Sequence, residues 1–341
     1  MPKISVIVVN WNGKHFLETC LSALRRQTFR DFETILVDND SQDGSAEYVH
    51  SNFREVRLIA LSENRGFTGG NIAGWEHSHG NLIVLLNNDT EAHPHWLEEI
   101  HKASMEFPQA GSFASKMLLF DDRDRIDNCG FDLTSAGLTM DLGRGEENGP
   151  AWAAPRKVFG ACGGAAAYRR DMLNDVGFLD DIFFMTYEDV DLGFRCQLRG
   201  YECMFVAEAI VYHRYRATMT KYPARQAFFS QRNIEFVYLK NLPLGLILRS
   251  LPQRLLYQVG GAIYFSRQGV GLAFVKAKLD AIRHLPLMLQ KRKSIQSRRT
   301  VGNDQLRLLM RHDWLAAKWK KLLSSSRRPA KVTLQASRSS S

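Results

Sequence analysis

The chain lacks several features that would assign it to a common class. Its 341 residues include five cysteines, an odd number without a CxxC pair, which argues against a disulfide framework or a zinc site and is typical of a reducing compartment. Neither GxGxxG nor GxxxxGK[ST] occurs, so phosphate binding of the Rossmann or P-loop kind is excluded. The N-terminus lacks the long apolar stretch and the cleavage site of a signal peptide, so we expect a cytoplasmic location.

Acidic residues are scarce in the last third of the sequence. Residues 240–341 hold 21 Lys and Arg against three acids, a net charge of +18, whereas residues 1–239 have a net charge of −9. This asymmetry predicts different partners for the two parts. The acidic part suggests carboxylates that hold a cation. The basic part suggests binding to an anionic surface. A nucleic-acid partner would leave the acidic part unexplained, so none is expected.

The first 120 residues predict an α/β fold. Runs of β-branched and leucine residues at 4–9, 34–37, 56–61 and 82–86 alternate with segments of helical spacing. Such alternation predicts a mostly parallel sheet flanked by helices on both faces. Residues 108–160 show no clear period and are predicted as loops and irregular β structure.

The C-terminal part predicts basic amphipathic helices over 243–323, following a domain that spans 1–242. Its longest charge-free run, residues 255–266, is too short to cross a bilayer. Apolar helices interrupted by basic residues are typical of the membrane interface. The alternative is a helical subdomain that packs on the rest of the chain. Residues 324–341 are rich in Ser and Arg and are predicted to be disordered.

Polar residues follow three of the predicted strands. They occupy positions 10–13, 38–45 and 87–90. Ligands of parallel α/β sheets bind at the carboxyl ends of the strands, so these residues predict one wall of a binding cleft. Single groups of this kind often do no more than form turns. A Gly-rich loop at 63–71, which contains Arg65, follows the third strand and is a weak signal for an anion site.

A second acidic group stands near the middle of the chain. Glu188, Asp189 and Asp191 lie at a predicted helix start, where acidic residues often do no more than cap the helix. The apolar residues 183–185 precede them, so a partly buried acid with a raised pKa is expected, which suits a general base. His213 ends an apolar run and is interpreted either as a structural histidine or as a metal ligand.

Seven blocks in a fixed order resemble the family-2 glycosyltransferases of the GT-A fold, over roughly residues 3–242. The likeness is to the rhamnosyltransferase-like branch of bacterial cell-surface polysaccharide assembly. The blocks are VIVVNWNG (6–13), VDNDSQDGS (37–45), ENRGFTGG (63–70), LLNNDT (85–90), GGAAAYRRD (163–171), YEDVDLGFR (187–195) and VYHRY (211–215).

The resemblance implies a nucleotide-sugar site. Asn10 and Asp38 resemble the family residues that form the pocket for the base and ribose. Arg65 and Gly66 resemble part of the donor-binding loop, and Asn88 resembles a further donor-binding residue.

The resemblance also implies a metal site and a base. Asp89 is similar to the last acid of the DxD motif, although Asn87 replaces its first acid, and His213 matches a position that completes the coordination sphere. Asp189 is similar to the base of the ED motif, with Glu188 or Asp191 assisting acceptor binding.

The activity implied is inverting transfer of a sugar that depends on Mg²⁺ or Mn²⁺. The first candidate donor is dTDP-L-rhamnose, with a UDP-hexose, UDP-galactofuranose or another deoxysugar as alternatives. The expected acceptor is lipid-linked or a polysaccharide, met by a peripheral protein on the inner face of the cell membrane. The alternative function is an inactive relative that binds nucleotide-sugars and scaffolds an assembly complex. A nucleotidyltransferase is disfavoured because its Gly-rich, Arg-containing start is missing.

Overall fold

In the computed structural model of the chain, residues 2–214 and 222–313 are described. The predicted disordered tail, 324–341, and the last ten residues of the predicted helical region lie outside them. The strands within the described ranges are β1 (Ile4–Asn10), β2 (Phe32–Asp38), β3 (Arg57–Ala60), β4 (Leu82–Asn87), β5 (Thr90–Ala92), β6 (Ala110–Leu119), β7 (Ile126–Asn128), β8 (Phe131–Thr134), β9 (Thr139–Asp141), β10 (Arg156–Val158), β11 (Ala165–Arg169), β12 (Glu202–His213) and β13 (Met310–Arg311).

The helices cover both faces of the large sheet and form the C-terminal region. They are α1 (Lys14–Arg25), α2 (Ser45–Asn52), α3 (Gly66–Glu76), α4 (Trp96–Glu106), α5 (Arg170–Val176), α6 (Glu188–Leu198), α7 (Pro223–Asn241), α8 (Leu244–Arg267), α9 (Gly271–Arg283), α10 (Leu285–Ser297) and α11 (Asn303–Leu308).

The central sheet has the strand order β10-β12-β6-β11-β4-β1-β2-β3, with β5 beside β12 and β7 beside β6. β1, β2, β3 and β4 are parallel, and β11 runs antiparallel between β4 and β6. β6 and β12 are parallel to each other, so most strands of the main path point in one direction. The prediction of a mostly parallel α/β sheet is confirmed.

Alternate side chains of each central strand enter two separate hydrophobic cores. In β1, Val6 and Val8 pack with Leu17 and Leu21 of α1 on one face, whereas Ile7 packs into the core of the other face. Burial on both faces explains the continuous β-branched run, because neither face meets water. The sheet is therefore a rigid base for the loops at its strand ends.

The prediction of loops and irregular β structure for residues 108–160 is wrong at its start. β6 is a ten-residue strand inside the sheet, and nine of its ten residues are buried. Buried Ser112, Ser115 and Lys116 interrupt its apolar pattern. Ser115 accepts a hydrogen bond from the indole N–H of Trp96 at 2.9 Å, which satisfies a polar group inside the core.

The C-terminal helices pack on α7, through α9 and α10 in particular. Leu246, Ala281 and Met288 share one hydrophobic core with Phe183 and Phe194, so apolar packing crosses residue 242. The division of the chain at that residue stays a prediction. No helix of the described ranges is long and apolar enough to cross a membrane.

Candidate active site

A cleft with a volume of about 550 Å³ opens beside the carboxyl ends of β1 and β4. Asn10 pairs with Asp38 across β1 and β2, and Val9 pairs with Asn87 across β1 and β4, so the polar ends of three strands lie side by side. The start of α6 and the first turns of α7 also line the cleft. Two groups of acids thus face one space from different elements.

The first group lies where β4 and β12 end. Asp89 follows β4, and its carboxylate Oδ1 lies 3.3 Å from Nε2 of His213, the last residue of β12. Nδ1 of His213 lies 2.7 Å from Oδ2 of Asp127 in β7. Burial alone would lower the pKa of His213, but the hydrogen bond to Asp127 and the adjacent Asp89 carboxylate outweigh it and raise the pKa to about 9. The imidazole is therefore fixed between two carboxylates.

These side chains fit one divalent cation. Oδ1 of Asp89 is buried and accepts no hydrogen bond from the described residues. With Nδ1 of His213 bonded to Asp127, the other ring nitrogen faces Asp89, an arrangement common around metal-bound histidines. A carboxylate with one imidazole suits Mg²⁺ or Mn²⁺. Within residues 2–214 and 222–313 no group of three or more His, Cys, Asp or Glu can hold a metal ion, so a cation here would need further ligands from a bound substrate and water.

Asp189, the second residue of α6, also lines the cleft. Its Oδ2 accepts a hydrogen bond from the N–H of Gly163 at 2.8 Å, and its Oδ1 accepts one from the N–H of Val190 at 2.7 Å. Burial raises the pKa of Asp189 despite these two hydrogen bonds. Among the described residues no Lys, Arg or His forms an ion pair with it. A partly buried carboxylate of this kind suits a general base.

Glu188 lines the cleft beside Asp189 and is 5% exposed. Its Oε2 is buried and has no hydrogen-bond partner in the described part of the chain. Burial, together with the neighbouring Asp189 carboxylate, holds the pKa of Glu188 well above its usual range. Glu188 therefore holds a proton more firmly than an ordinary glutamic acid.

Asp191 does not reach the cleft, and the structure contradicts the expectation that it assists acceptor binding. The side chain is fully buried and accepts hydrogen bonds from Arg195 at 2.9 Å, Lys240 at 2.9 Å and Asn241 at 2.7 Å. Burial would raise the pKa of Asp191, but Lys240 and Arg195 outweigh it and lower the pKa. Its carboxylate joins α6 to α7 and has a structural role.

The segment before α6 is backbone-strained. Phe184, Thr186 and Tyr187 all have positive φ angles, between 61° and 70°, which non-glycine residues rarely adopt. Asn233 of α7 is buried, and its Nδ2 lies 2.8–2.9 Å from the carbonyl oxygens of Phe183, Met185 and Thr186. These hydrogen bonds hold the strained segment, and with it the first turn of α6.

The two residues predicted to bind base and ribose lie beneath the lining of the cleft. Asn10 is fully buried, and its Nδ2 donates to Oδ1 of Asp38 at 3.3 Å and to Oγ of Ser41 at 3.2 Å. Its Oδ1 accepts a hydrogen bond at 2.7 Å from Asn88, which does line the cleft. Asn10 and Asp38 therefore support the strand ends in this structure, and their contact with a nucleotide stays a prediction.

The predicted donor-binding loop reaches the cleft through its backbone. Gly66 lines the cleft with φ +71°, and a Cβ at this position would lie 2.3 Å from the carbonyl oxygen of Phe184, so glycine is required here. The Arg65 side chain is not part of the lining. Asn39 fixes the loop, because its Oδ1 accepts a hydrogen bond from the N–H of Arg65 and its Nδ2 donates to the carbonyl of Gly66, both at 2.9 Å.

Sequence reasoning missed Asp127 and Asn233 as site residues, and it placed Asn39 in the predicted cleft wall without a role of its own. Asn233 stands in α7 between Arg232 and Ile234, where nothing in the sequence marks it as a site residue. Asp127 follows a run of charged residues at 121–125. Only the pairing of β7 with β6 distinguishes it from its neighbours.

Known proteins share both the sequence pattern and the fold. A family model described as glycosyl transferase family 2 matches residues 5–177. O-antigen biosynthesis protein RfbC of Myxococcus xanthus is 25% identical over 235 residues, which are 64% of this chain but 18% of that protein. N-acetylglucosaminyl-diphospho-decaprenol L-rhamnosyltransferase of Mycobacterium tuberculosis is 26% identical over 250 residues, 65% of this chain and 79% of that protein.

A solved structure supports the same fold. Mannosyltransferase PcManGT from Pyrobaculum calidifontis, in complex with GDP-Man and Mn²⁺, superposes with a TM-score of 0.53 at 16% identity, covering 95% of this chain and 88% of that one. This likeness shows the GT-A fold. Because the family model covers just over half of the chain, the conclusion on family is direct: the chain belongs to glycosyl transferase family 2.

Proposed function

We propose that the protein is an inverting, metal-dependent glycosyltransferase that moves a sugar from a nucleotide-sugar to an acceptor hydroxyl. The single observation that carries the proposal is the placement of two acid groups around one cleft. Asp89 and His213 stand at strand ends, and Asp189 stands on α6 with no cation paired to it among the described residues. Departure of a diphosphate requires positive charge on one side, and attack by a hydroxyl requires a base on the other.

In this reaction Asp189 accepts the proton of the acceptor hydroxyl as that oxygen attacks the anomeric carbon. Attack from the face opposite the leaving diphosphate inverts the configuration in one step. Asp89 and His213 would hold a divalent cation, Mg²⁺ or Mn²⁺, which neutralises charge on the diphosphate. Glu188 binds the acceptor beside the base, and Asn88 with the loop at Gly66 binds the donor.

The first candidate donor is dTDP-L-rhamnose, and the first candidate acceptor is a sugar linked to a lipid through a diphosphate. The support is the name of the Mycobacterium tuberculosis relative, which states an L-rhamnosyltransferase acting on N-acetylglucosaminyl-diphospho-decaprenol. The name of the Myxococcus relative points to O-antigen biosynthesis, which also fits assembly of a cell-surface polysaccharide.

The test is an acceptor-dependent assay with the full-length chain. Purified protein with Mn²⁺ is given a panel of nucleotide-sugars and a diphosphate-linked acceptor, and both the released nucleotide and the glycosylated product are measured. We expect turnover with dTDP-L-rhamnose and loss of that turnover after chelation. The anomeric configuration of the sugar in the product should be opposite to its configuration in the donor. Asp89→Ala should weaken donor binding in the presence of metal. Full activity after exhaustive chelation would contradict the metal role, and nucleotide-sugar binding without any turnover would favour the inactive scaffold.

We also propose that the protein acts on the inner face of the cell membrane. One side of α8 carries large apolar residues that are 42–64% exposed; this α8 face consists of Leu244, Leu248, Leu251, Leu255, Val259 and Ile263. α9 has a similar exposed row at Leu272, Val275, Leu279 and Ile282. Leucines in rows along two helices exceed what an ordinary water-exposed surface carries. Basic residues beside them, such as Arg249 and Lys276, suit an anionic lipid surface.

Substitutions on the α8 face test membrane attachment more cleanly than truncation. Removing the helices would break the ion pair of Lys291 with Asp180 and the hydrogen bond of Gln296 to the Asn241 carbonyl, and the catalytic part would lose support. Leu248→Ser with Leu255→Ser should lower flotation of the protein with anionic liposomes. Leu308→Ser, at an 86% exposed leucine on α11, is the control. Equal flotation of both variants and the unchanged protein would contradict attachment through α8.

A further inference from the structure

A second pocket lies far from the cleft, between the start of α8, the C-terminal half of α10 and the start of α11. Its volume is about 510 Å³, and its wall includes Leu244, Gly245 and Leu289 beside several polar residues. The pocket lies at the C-terminal end of α7, beyond Asn241, whereas Ser230 is the last residue of α7 that lines the cleft. Eleven residues of helix separate the two, about 16 Å. The pocket is therefore a separate site.

Three cations face this pocket: Arg292, Lys293 and Arg299. None of the three forms an ion pair within the described ranges, although neighbouring basic residues such as Lys291 and Arg298 do. Arg299 donates to the neutral side chain of Asn303 at 2.7 Å. Burial, together with the charge of Arg299, lowers the pKa of Arg292. Positive charge has thus gathered in the pocket without a carboxylate to balance it.

Arg292 is held in place by the backbone. Its Nη1 donates to the carbonyl oxygens of Leu239 at 2.8 Å and Leu242 at 2.6 Å. The first turn of α8 opens into the same pocket at Leu244 and Gly245. The first N–H groups of a helix lack intrahelical acceptors, and that end of the helix dipole favours an anion. Fixed guanidinium and helix-end groups converge on one space.

The pocket is continuous with the apolar surface. Leu244, 62% exposed, belongs both to its wall and to the α8 face, and Leu289 on its other side is 50% exposed. From Leu244 the α8 face extends along a helix of 24 residues, about 36 Å in length. A ligand with one phosphate group and long apolar chains matches this combination of surfaces.

We propose that the pocket binds the phosphate group of an anionic membrane lipid, whose acyl chains lie along the α8 face. A second copy packed through this same region would bring like charge, because residues 244–313 hold 13 Lys and Arg against three acids. Those acids, Asp280, Asp304 and Asp313, already pair with arginines. The assignment rests on the proposed membrane attachment of the α8 face and not on the proposed sugar transfer.

Two matched double variants test the site in the full-length protein. Lys293→Gln with Arg299→Gln removes two charges from the pocket and leaves Arg292, which supports the fold. Lys276→Gln with Arg283→Gln removes two exposed charges from α9, outside the pocket. Binding is measured with vesicles of phosphatidylcholine, with and without phosphatidylglycerol, and with a short-chain phosphatidic acid below its micelle concentration. Inorganic phosphate serves as the non-lipid arm, and turnover on a water-soluble acceptor analogue is measured for all proteins.

We expect the pocket variant to bind phosphatidylglycerol vesicles about tenfold more weakly than the α9 variant, because charge-assisted hydrogen bonds are lost as well as charge. It should also lose binding of the short-chain lipid and keep its turnover on the soluble acceptor. Equal losses in both variants would overturn the site in favour of general surface charge. Binding of inorganic phosphate as tight as that of the short-chain lipid, with unchanged vesicle binding by the pocket variant, would overturn the lipid assignment.

Discussion

Two neighbouring aspartates of α6, one on its cleft side and one on its core side, have different partners and opposite pKa shifts. Asp189 faces the cleft with two backbone N–H donors and a raised pKa. Asp191 faces α7 with Lys240, Arg195 and Asn241 around it and a lowered pKa. Both stand in the first turn of one helix, two residues apart, and both looked like candidates for the same chemistry.

The difference follows from helix geometry and from the partners supplied by α7. Two residues apart on a helix, side chains point about 200° away from each other. Lys240 also binds Asp180 at 2.6 Å, and Asp180 binds Lys291 of α10. The core side of α6 is therefore an ionic network that fixes the helix, whereas the acids on the cleft side form no ion pair with the described residues. One motif thus combines a structural acid with the acid that we propose as the base.

The largest effect is expected from Asp189→Asn. Turnover should fall about 10³-fold, because general-base catalysis contributes roughly 10²- to 10⁴-fold and an amide cannot accept the proton. Unfolding free energy should change by less than about 1 kcal/mol, since the loss of one N–H partner is offset by removal of a desolvated charge. Kinetics with saturating donor and urea unfolding measure the two quantities. Near-normal turnover would pass the base role to Glu188.

The next largest effect is expected on the core side of α6, where a substitution should lower stability and leave turnover nearly unchanged. Asp191→Asn should cost about 3–5 kcal/mol of unfolding free energy, because Lys240 and Arg195 lose their buried counter-charge. At a temperature where the variant is folded, its turnover should stay within about threefold of the unchanged protein. A variant that folds normally but loses turnover would show that Asp191 takes part in the chemistry.

The stability difference has a defined pH dependence. The folded-state pKa of Asp191 is lowered, so its contribution is fully present above its unfolded value of about 4. That contribution is lost as the pH falls through the lower folded value. The difference in unfolding free energy between the unchanged protein and Asp191→Asn should therefore begin to shrink as the pH falls below about 4, and it should vanish only below the folded value. A gap that stays constant to lower pH would place the effect in packing instead of charge.

Much of the fold could be predicted because buried parallel strands have a simple sequence signature. β1, apart from Ser5, and β4 are apolar runs ending in polar residues, and the sequence pattern predicts the bounds of both almost to the residue. β6 could not be predicted, because its buried polar residues Ser112, Ser115 and Lys116 give the segment the sequence pattern of a loop. Burial of a polar side chain depends on tertiary partners such as Trp96, which sequence period alone does not reveal.

The site was predictable in its residue types and less so in their division of labour. Asp89, His213 and Asp189 stand out because each lies at or next to the end or the start of a strand or helix. Asp191 was assigned to the cleft because the three acids of YEDVD are indistinguishable without the position of Lys240. Asp127 could not be found at all, since only the sheet brings it to His213.

A smaller effect is expected from substituting two buried asparagines of α7, each of which binds a different side of α6. Asn233 bonds the strained segment at 183–186, whereas Asn241 bonds Asp191. Asn233→Leu should lower kcat about tenfold, with little change in the KM for donor, because the segment relaxes and Asp189 moves. Asn241→Leu is the matched control and should lose stability but keep kcat. Equal kcat in both variants would show that the hydrogen bonds of Asn233 serve only the fold.

The smallest expected effect comes from Glu188→Gln, on the cleft side. Burial and the Asp189 carboxylate hold the pKa of Glu188 well above its usual range, so the neutral amide resembles the protonated acid that it replaces. We expect the KM for acceptor to rise about threefold, because an N–H donor replaces the O–H, and we expect kcat to fall by less than that. The acid limb of the pH–rate profile should stay where it is, since it reports ionisation of Asp189. A loss of turnover as large as that of Asp189→Asn, or a displaced acid limb, would mean that Glu188 is the group that accepts the proton.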